Sequence, residues 1–202
     1  EVNAFAVPGG HVVVHRGLIE RAKSIEEIQG VLAHELQHVL RRHSMKNIMS
    51  SLGTILVLQT LIGDLTGLAA ILTEGSSFLL LRQFSRDFER DADDKGFDLL
   101  VASQIDPSGM VEFFKTLEKV KEERMKDLSN ENKDRLETIE DWASTHPQTE
   151  DRIAHLQERL DLLGDREWRE SEFDLEALKE ELSSANKTRD KRDEITIPAE
   201  EF

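Results

Sequence analysis

The chain contains no cysteine and no tyrosine. The first absence excludes disulfides and thiolate metal sites, so a metal ion here must be held by His, Asp or Glu, and the redox compartment stays open. The second removes the phenol, one common stabiliser of an oxyanion. Basic charge is also in short supply. The formal net charge is −15, with 26 Lys and Arg against 41 Asp and Glu, and no basic stripe is visible to meet a phosphate backbone, which argues against nucleic acid as a partner. Long hydrophobic runs are missing as well. Residues 48–81 are mostly apolar, but Gln59, Asp64 and Glu74 interrupt them and Gly63 and Gly67 punctuate them. Neither half reaches the roughly 18 residues of a membrane span.

What remains is 38% hydrophobic and 33% charged, the balance of a helix-rich globular protein. A length of 202 residues suits one domain with at most an appendage. Glu1 opens directly into strand-like sequence, so a preceding segment, with any targeting signal, is expected to be missing from this chain.

Residues 2–15 read as a β-hairpin: an apolar run to Val7, the turn sequence Pro8-Gly9-Gly10, then Val12-Val13-Val14 between His11 and His15. Ser24 with Glu27 three residues later forms a capping box. Ile28, Val31, Leu32, Leu36 and Val39 then recur at helical spacing and predict a helix over 25–44, with His34 and His38 together on the flank of that stripe, facing a cleft wall rather than open water. Segment 48–81 reads as two short helices around Gly63-Asp64, either a buried hairpin or an apolar lid. Further helices are expected over 77–103, with Phe84, Phe88, Ala92 and Leu99 on one face, and over 108–126. A last one opens at Pro147 and stops at Gly164. The stretch 127–141 is highly charged. The expected architecture is α+β and predominantly helical. One domain would occupy residues 1–164, with a peripheral acidic helix and a tail from about Ser183 over 165–202.

The segment His34-Glu35-Leu36-Gln37-His38 carries the chemistry. Two imidazoles one helical turn apart can reach one ion at about 2.0–2.1 Å. Glu35, offset from that ion, is placed to act on water as a general base. Two His and a Glu can also align by chance on a solvated helix, so the test is a third ligand. A continuation with Gly and a third His fails, because Arg41 and Ser44 hold those positions and His43 is one residue out of register. A carboxylate from a later helix is the alternative, and Glu89 fits best. Asp93 lies one turn on, on the same face, where it can orient a ligating His; Asp87 and Asp91 point away from that face.

Four motifs now stand in order: Asn3 to Gly10, His34 to His38, Ser85-Arg86 with Glu89 to Asp93, and Thr145-His146-Pro147 with Arg152. In these the chain resembles the zinc metallopeptidases that include HtpX, the CAAX prenyl protease and BepA. The resemblance implies a gluzincin of zincin type, with an active-site helix bearing the two His and one zinc ion per chain on His34, His38 and Glu89. Glu35 would be the base, and Asp93 would lie behind the ligands. His146 would take the fourth position at rest or stabilise the oxyanion, with Arg152 as another candidate for that electrostatic role. Gln37 departs from the family, which usually has Gly there. The broken 48–81 segment is similar to the soluble or peripheral branch, in which it forms a plug or lid.

The expected function is a zinc-dependent endopeptidase using zinc-activated water on unfolded or membrane-associated polypeptides, in protein quality control. The alternative is a latent or chaperone-like zinc-binding module with a plugged site. By resemblance its place is the bacterial periplasm or a membrane surface, and the hairpin edge would grip an extended substrate by its backbone.

Overall fold

The computed structural model describes residues 2–7, 9–62, 84–128, 146 and 150–193. It is mostly helical with one small two-stranded sheet. Strands β1 (Ala4–Val7) and β2 (His11–Val14) are antiparallel, with Ala4 opposite Val14 and Val7 opposite His11. The turn needs glycine: Gly9 and Gly10 have φ of 104° and 91°, a region open to residues without a Cβ. His15 N–H donates to Asn3 O at 2.8 Å and extends the ladder by one rung.

Helix α1 (Arg16–Arg21) leads into α2 (Ile25–Leu40), the centre of the fold. Ser24 caps α2 by accepting from Glu27 N–H at 3.3 Å, and Glu27 Oε2 reaches back to Lys23 N–H at 3.0 Å. Helices α4 (Arg86–Ala102) and α5 (Ser108–Leu128) pack against α2, and the hairpin touches it as well. Between α2 and α4 lies α3 (His43–Ile62). Helix α6 (Glu150–Leu163) lies on α4 and α5, ending at Gly164 with φ of 62°. Helix α7 (Leu175–Asp193) touches α1 and adds Leu175 to the core of Leu18, Val31, Phe97, Met110, Phe113, Phe114 and Leu156.

Several expectations need correction. The helix over 25–44 is two helices, because α2 ends at Leu40 and Arg42 turns left-handed at φ 56° before α3 starts. The first half of 48–81 thus belongs to one helix that begins before it, while Gly63, Asp64 and the rest of that segment lie outside the described residues, as do 129–141, Thr145 and Pro147. Helix α4 starts at Arg86 rather than near Ser77, since Ser85 Oγ caps it by accepting from Phe88 N–H at 3.2 Å. Helix α7 runs past Ser183 to Asp193. Most telling, the apolar stripe of α2 is only partly its inner face: Ile28 and Val31 are in the core, but Leu32 and Leu36 are each 38% exposed, while His34, Glu35, Gln37 and His38 are buried. Among the described residues no helix is long and apolar enough to cross a membrane.

Close helix approach fixes the geometry around that polar face. A Cβ on Gly30 would lie 2.6 Å from Met110 Cα and N, and one on Gly96 3.2 Å from His34 N. Helix propensity favours Ala over Gly by about 0.8–1.0 kcal/mol. Overpacking against backbone costs about 1–3 kcal/mol. Gly30→Ala is therefore expected to lower the unfolding free energy in a urea titration, and a stabilised variant would show that α2 and α5 can separate freely.

Candidate metal centre

Helix α2 places His34 and His38 one turn apart with their rings pointed the same way, so that the two Nε2 atoms lie 3.0 Å from each other. Glu89, from the first turn of α4, sets Oε2 at 3.6 Å from His34 Nε2 and Oε1 at 3.5 Å from His38 Nε2. His146 adds Nδ1 at 3.4 Å from His34 Nε2 and 3.0 Å from Glu89 Oε1. One ligand atom from each of the four lies within 4.8 Å of every other, and all four residues are buried. The edges of a tetrahedron with 2.0–2.1 Å bonds are about 3.3 Å. Five separations among the four residues, counting both Glu89 oxygens, are 3.0–3.6 Å, close to that value, so these residues can converge on one ion.

Electrostatics point the same way. Burial opposes a charge on His34, yet Asp93 and Glu89 raise its pKa to about 9. Burial also works against the Glu89 carboxylate, but His146 and His34 hold it well below the usual carboxylate range. His38 is pushed far down by burial, then by the neighbouring His34 and His146, and so is neutral with a lone pair to give. The shifts of His34 and Glu89 have one cause, that positive charge is favoured beside the buried Glu89 carboxylate.

Glu35 is fully buried, and its Oε1 lies 3.3 Å from His146 Nε2. Behind the cluster, His34 Nδ1 approaches Asp93 Oδ1 at 2.9 Å. Arg152 grips Asp93 through Nε at 2.6 Å and Nη2 at 2.7 Å, and its Nη1 reaches Glu89 Oε2 at 2.8 Å. Phe84 stacks on the His38 ring at 4.0 Å and Phe114 meets His34 edge-on. A cavity of about 350 Å³ opens beside His38, between Gly9 and Gly10 of the hairpin turn and Val39, Arg42, Ser44 and Met45.

The structure thus brings together His34, Glu35, His38, Glu89 and His146, with Asp93 and Arg152 at their backs. His11 is exposed on the hairpin, and His155 pairs with Asp94 at 2.7 Å. One group escaped the sequence reading: His43, set aside as out of register, is buried with Nδ1 at 3.1 Å from His38 Nδ1 and Nε2 at 3.1 Å from Asp91 Oδ2. Asp91 indeed points away from the Glu89 face, but toward this imidazole. The only signal in the sequence was its place five residues beyond His38, which no helical spacing favours.

The profile of peptidase family M48 matches residues 1–160. The chain is similar to Metalloprotease LoiP of Escherichia coli, 29% identical over 164 residues that cover 79% of this chain and 59% of LoiP. It is also similar to Mitochondrial metalloendopeptidase OMA1 of Schizosaccharomyces pombe, 32% identical over 161 residues, 78% of this chain and 43% of that protein. The match to the Beta-barrel assembly-enhancing protease of Escherichia coli is 31% over 132 residues, 58% of this chain and 26% of that protein. The chain therefore spans little more than half of LoiP and less of the other two. The family profile runs through the hairpin, the paired histidines of α2, Glu89 and Arg152 alike, and the chain belongs to peptidase family M48.

Proposed function

We propose that this chain is a zinc-dependent endopeptidase in which His34, His38 and Glu89 hold one zinc ion and Glu35 is the general base. The observation that carries this is the buried set of ligand atoms within 4.8 Å of one another with a second buried carboxylate alongside. A zinc ion bound there supplies Lewis acidity, which polarises a peptide carbonyl and brings the pKa of water down to about 7. Glu35 takes the proton from that water and passes it to the departing amine. Asp93 holds His34 in the tautomer that presents Nε2 to the metal, and Arg152 holds Asp93 and Glu89 in place. We assign Arg152 to that task because its guanidinium is turned to these two carboxylates.

The substrate is an extended polypeptide segment. The cavity beside His38 and the exposed side of the hairpin offer a path along which main-chain groups can pair, a mode that selects unfolded or flexible chain rather than one sequence. A role in protein quality control follows from that selectivity. Casein digestion by the whole chain tests the reading: one equivalent of zinc should support cleavage, chelation should stop it, and added zinc should restore it. Cleavage that survives exhaustive chelation would sink the proposal.

A second reading, a site plugged at rest, is favoured by His146 Nδ1, which lies 3.4 Å from His34 Nε2 and 3.0 Å from Glu89 Oε1. With a metal on His34, His38 and Glu89, the His146 ring would stand in the way of water and substrate and would have to swing aside before turnover, and its Nε2–H would then be free to stabilise the oxyanion. His146→Ala is expected to keep its zinc and to change the casein rate. Loss of an oxyanion donor lowers turnover by about 10²–10³-fold, whereas loss of a plug raises it. An unchanged rate would exclude both roles, and loss of the zinc would make His146 an obligatory ligand.

A further inference from the structure

His34 and His38 both turn Nε2 toward the same point, and each leaves Nδ1 to be held from behind. For His34 the holder is the carboxylate of Asp93, itself gripped by Arg152. Behind His38 stands another imidazole, His43, with the two Nδ1 atoms 3.1 Å apart. His43 Nε2 lies 3.1 Å from Asp91 Oδ2, and Arg41 Nη1 lies 3.1 Å from the same oxygen.

Protonation along this line follows from its first member. An imidazole that gives its Nε2 lone pair to a metal carries its proton on Nδ1. His38 Nδ1–H must then donate, and His43 Nδ1 must accept. That leaves the His43 proton on Nε2, where it is donated to the Asp91 carboxylate. Every link dictates the next. The two ligating histidines are therefore backed alike, each ending in a carboxylate of α4 held by an arginine, but the path to His38 is longer by one imidazole.

Backbone geometry makes the longer path. The left-handed turn at Arg42 breaks the helix after Leu40 and brings His43 back beneath His38 as α3 begins. His43 then stacks on Phe88 with ring centroids 4.5 Å apart and planes 12° from parallel. That contact fixes the ring plane, but it does not require nitrogen at either position.

We propose that His43 and Asp91 are positioning residues, a relay that locks His38 in the tautomer facing the metal and thereby strengthens zinc binding. The inference rests on the reading of His34, His38 and Glu89 as zinc ligands. Loss of such an outer partner weakens metal binding by about 10–100-fold.

The decisive comparison measures zinc affinity of the whole chain against a competing chelator. His43→Phe keeps the stacked ring and removes both nitrogens, and it should weaken zinc binding by about 10–100-fold. His43→Asn, whose amide oxygen can accept from His38 Nδ1–H, should recover most of that loss. Asp91→Ala, at a partly exposed position, should weaken binding in the same direction. In the zinc-loaded parent chain, nitrogen-15 NMR should find His43 protonated on Nε2 and bare on Nδ1. Parent affinity in both His43→Phe and Asp91→Ala, or a His43 protonated on Nδ1, would overturn the relay while leaving the metal centre intact. Zinc bound as tightly by His38→Ala as by the parent would instead overturn the metal centre, and the relay with it.

Discussion

Glu35→Gln is expected to cut casein hydrolysis by about 10²–10⁴-fold, the range that a positioned general base contributes, while zinc content stays at the parent level. The substitution is nearly isosteric, which matters at a residue with no exposed surface. An amide at this position can still accept a hydrogen bond from water but cannot take its proton. Its contact with His146, 3.3 Å between Glu35 Oε1 and His146 Nε2, can survive as a hydrogen bond, so the resting geometry should be kept. Glu35 is absent from the set of groups able to share one ion, and its replacement should therefore leave zinc affinity alone. The two readouts separate the roles. Proteolysis at the parent rate would show that the base is some other group. Loss of zinc along with activity would show that Glu35 is needed to hold the metal rather than to move a proton.

How far the site could be read in advance varies with the kind of interaction. The hairpin was legible from three consecutive β-branched residues beside a Gly-Gly turn, and the start of α2 from Ser24 and Glu27, because both are local arrangements of neighbouring residues. The inner face of α2 was legible only in part. Apolar periodicity selects Ile28 and Val31, which are buried, but also Leu32 and Leu36, which stay 38% exposed while His34, Glu35 and His38 on the flank of the stripe are buried. Burying such groups is costly unless they are paired, and here the partners come from α4, from residue 146 and from α6, none of which a local pattern contains. Functional sites are where such conflicts between local pattern and fold are expected. His43 escaped for a related reason. Its closeness to His38 depends on a non-glycine residue, Arg42, in the left-handed region, and nothing in the sequence marks that turn. A helix turn carries Glu89 and Asp93 to one face, which their spacing already shows, whereas Asp91, two residues from each, falls off that face.

Replacing Glu89 should have the largest effect on the metal itself. Glu89→Ala is expected to lower zinc affinity by more than the roughly 10–100-fold that loss of an outer partner costs, because it deletes the one carboxylate of the proposed ligand set. It should also destabilise the protein before any metal is added. Arg152 is 8% exposed and sets Nη1 at 2.8 Å from Glu89 Oε2. Removing one partner of a buried ion pair costs about 3–5 kcal/mol, although Asp93, gripped by the same guanidinium, keeps part of its compensation. A lower Tm would therefore not by itself identify a ligand. Glu89→Gln separates the two effects, since the amide oxygen can still accept from Arg152 and the side chain fills the same space, while the negative charge that would strengthen zinc binding is gone. The expected result is a fold close to the parent in its circular dichroism, a Tm between those of the parent and Glu89→Ala, and zinc binding reduced in both variants. Stoichiometric zinc retained by a folded Glu89→Ala variant would show that the third ligand is another residue, and His146, already 3.4 Å from His34 Nε2, would be the group to replace next.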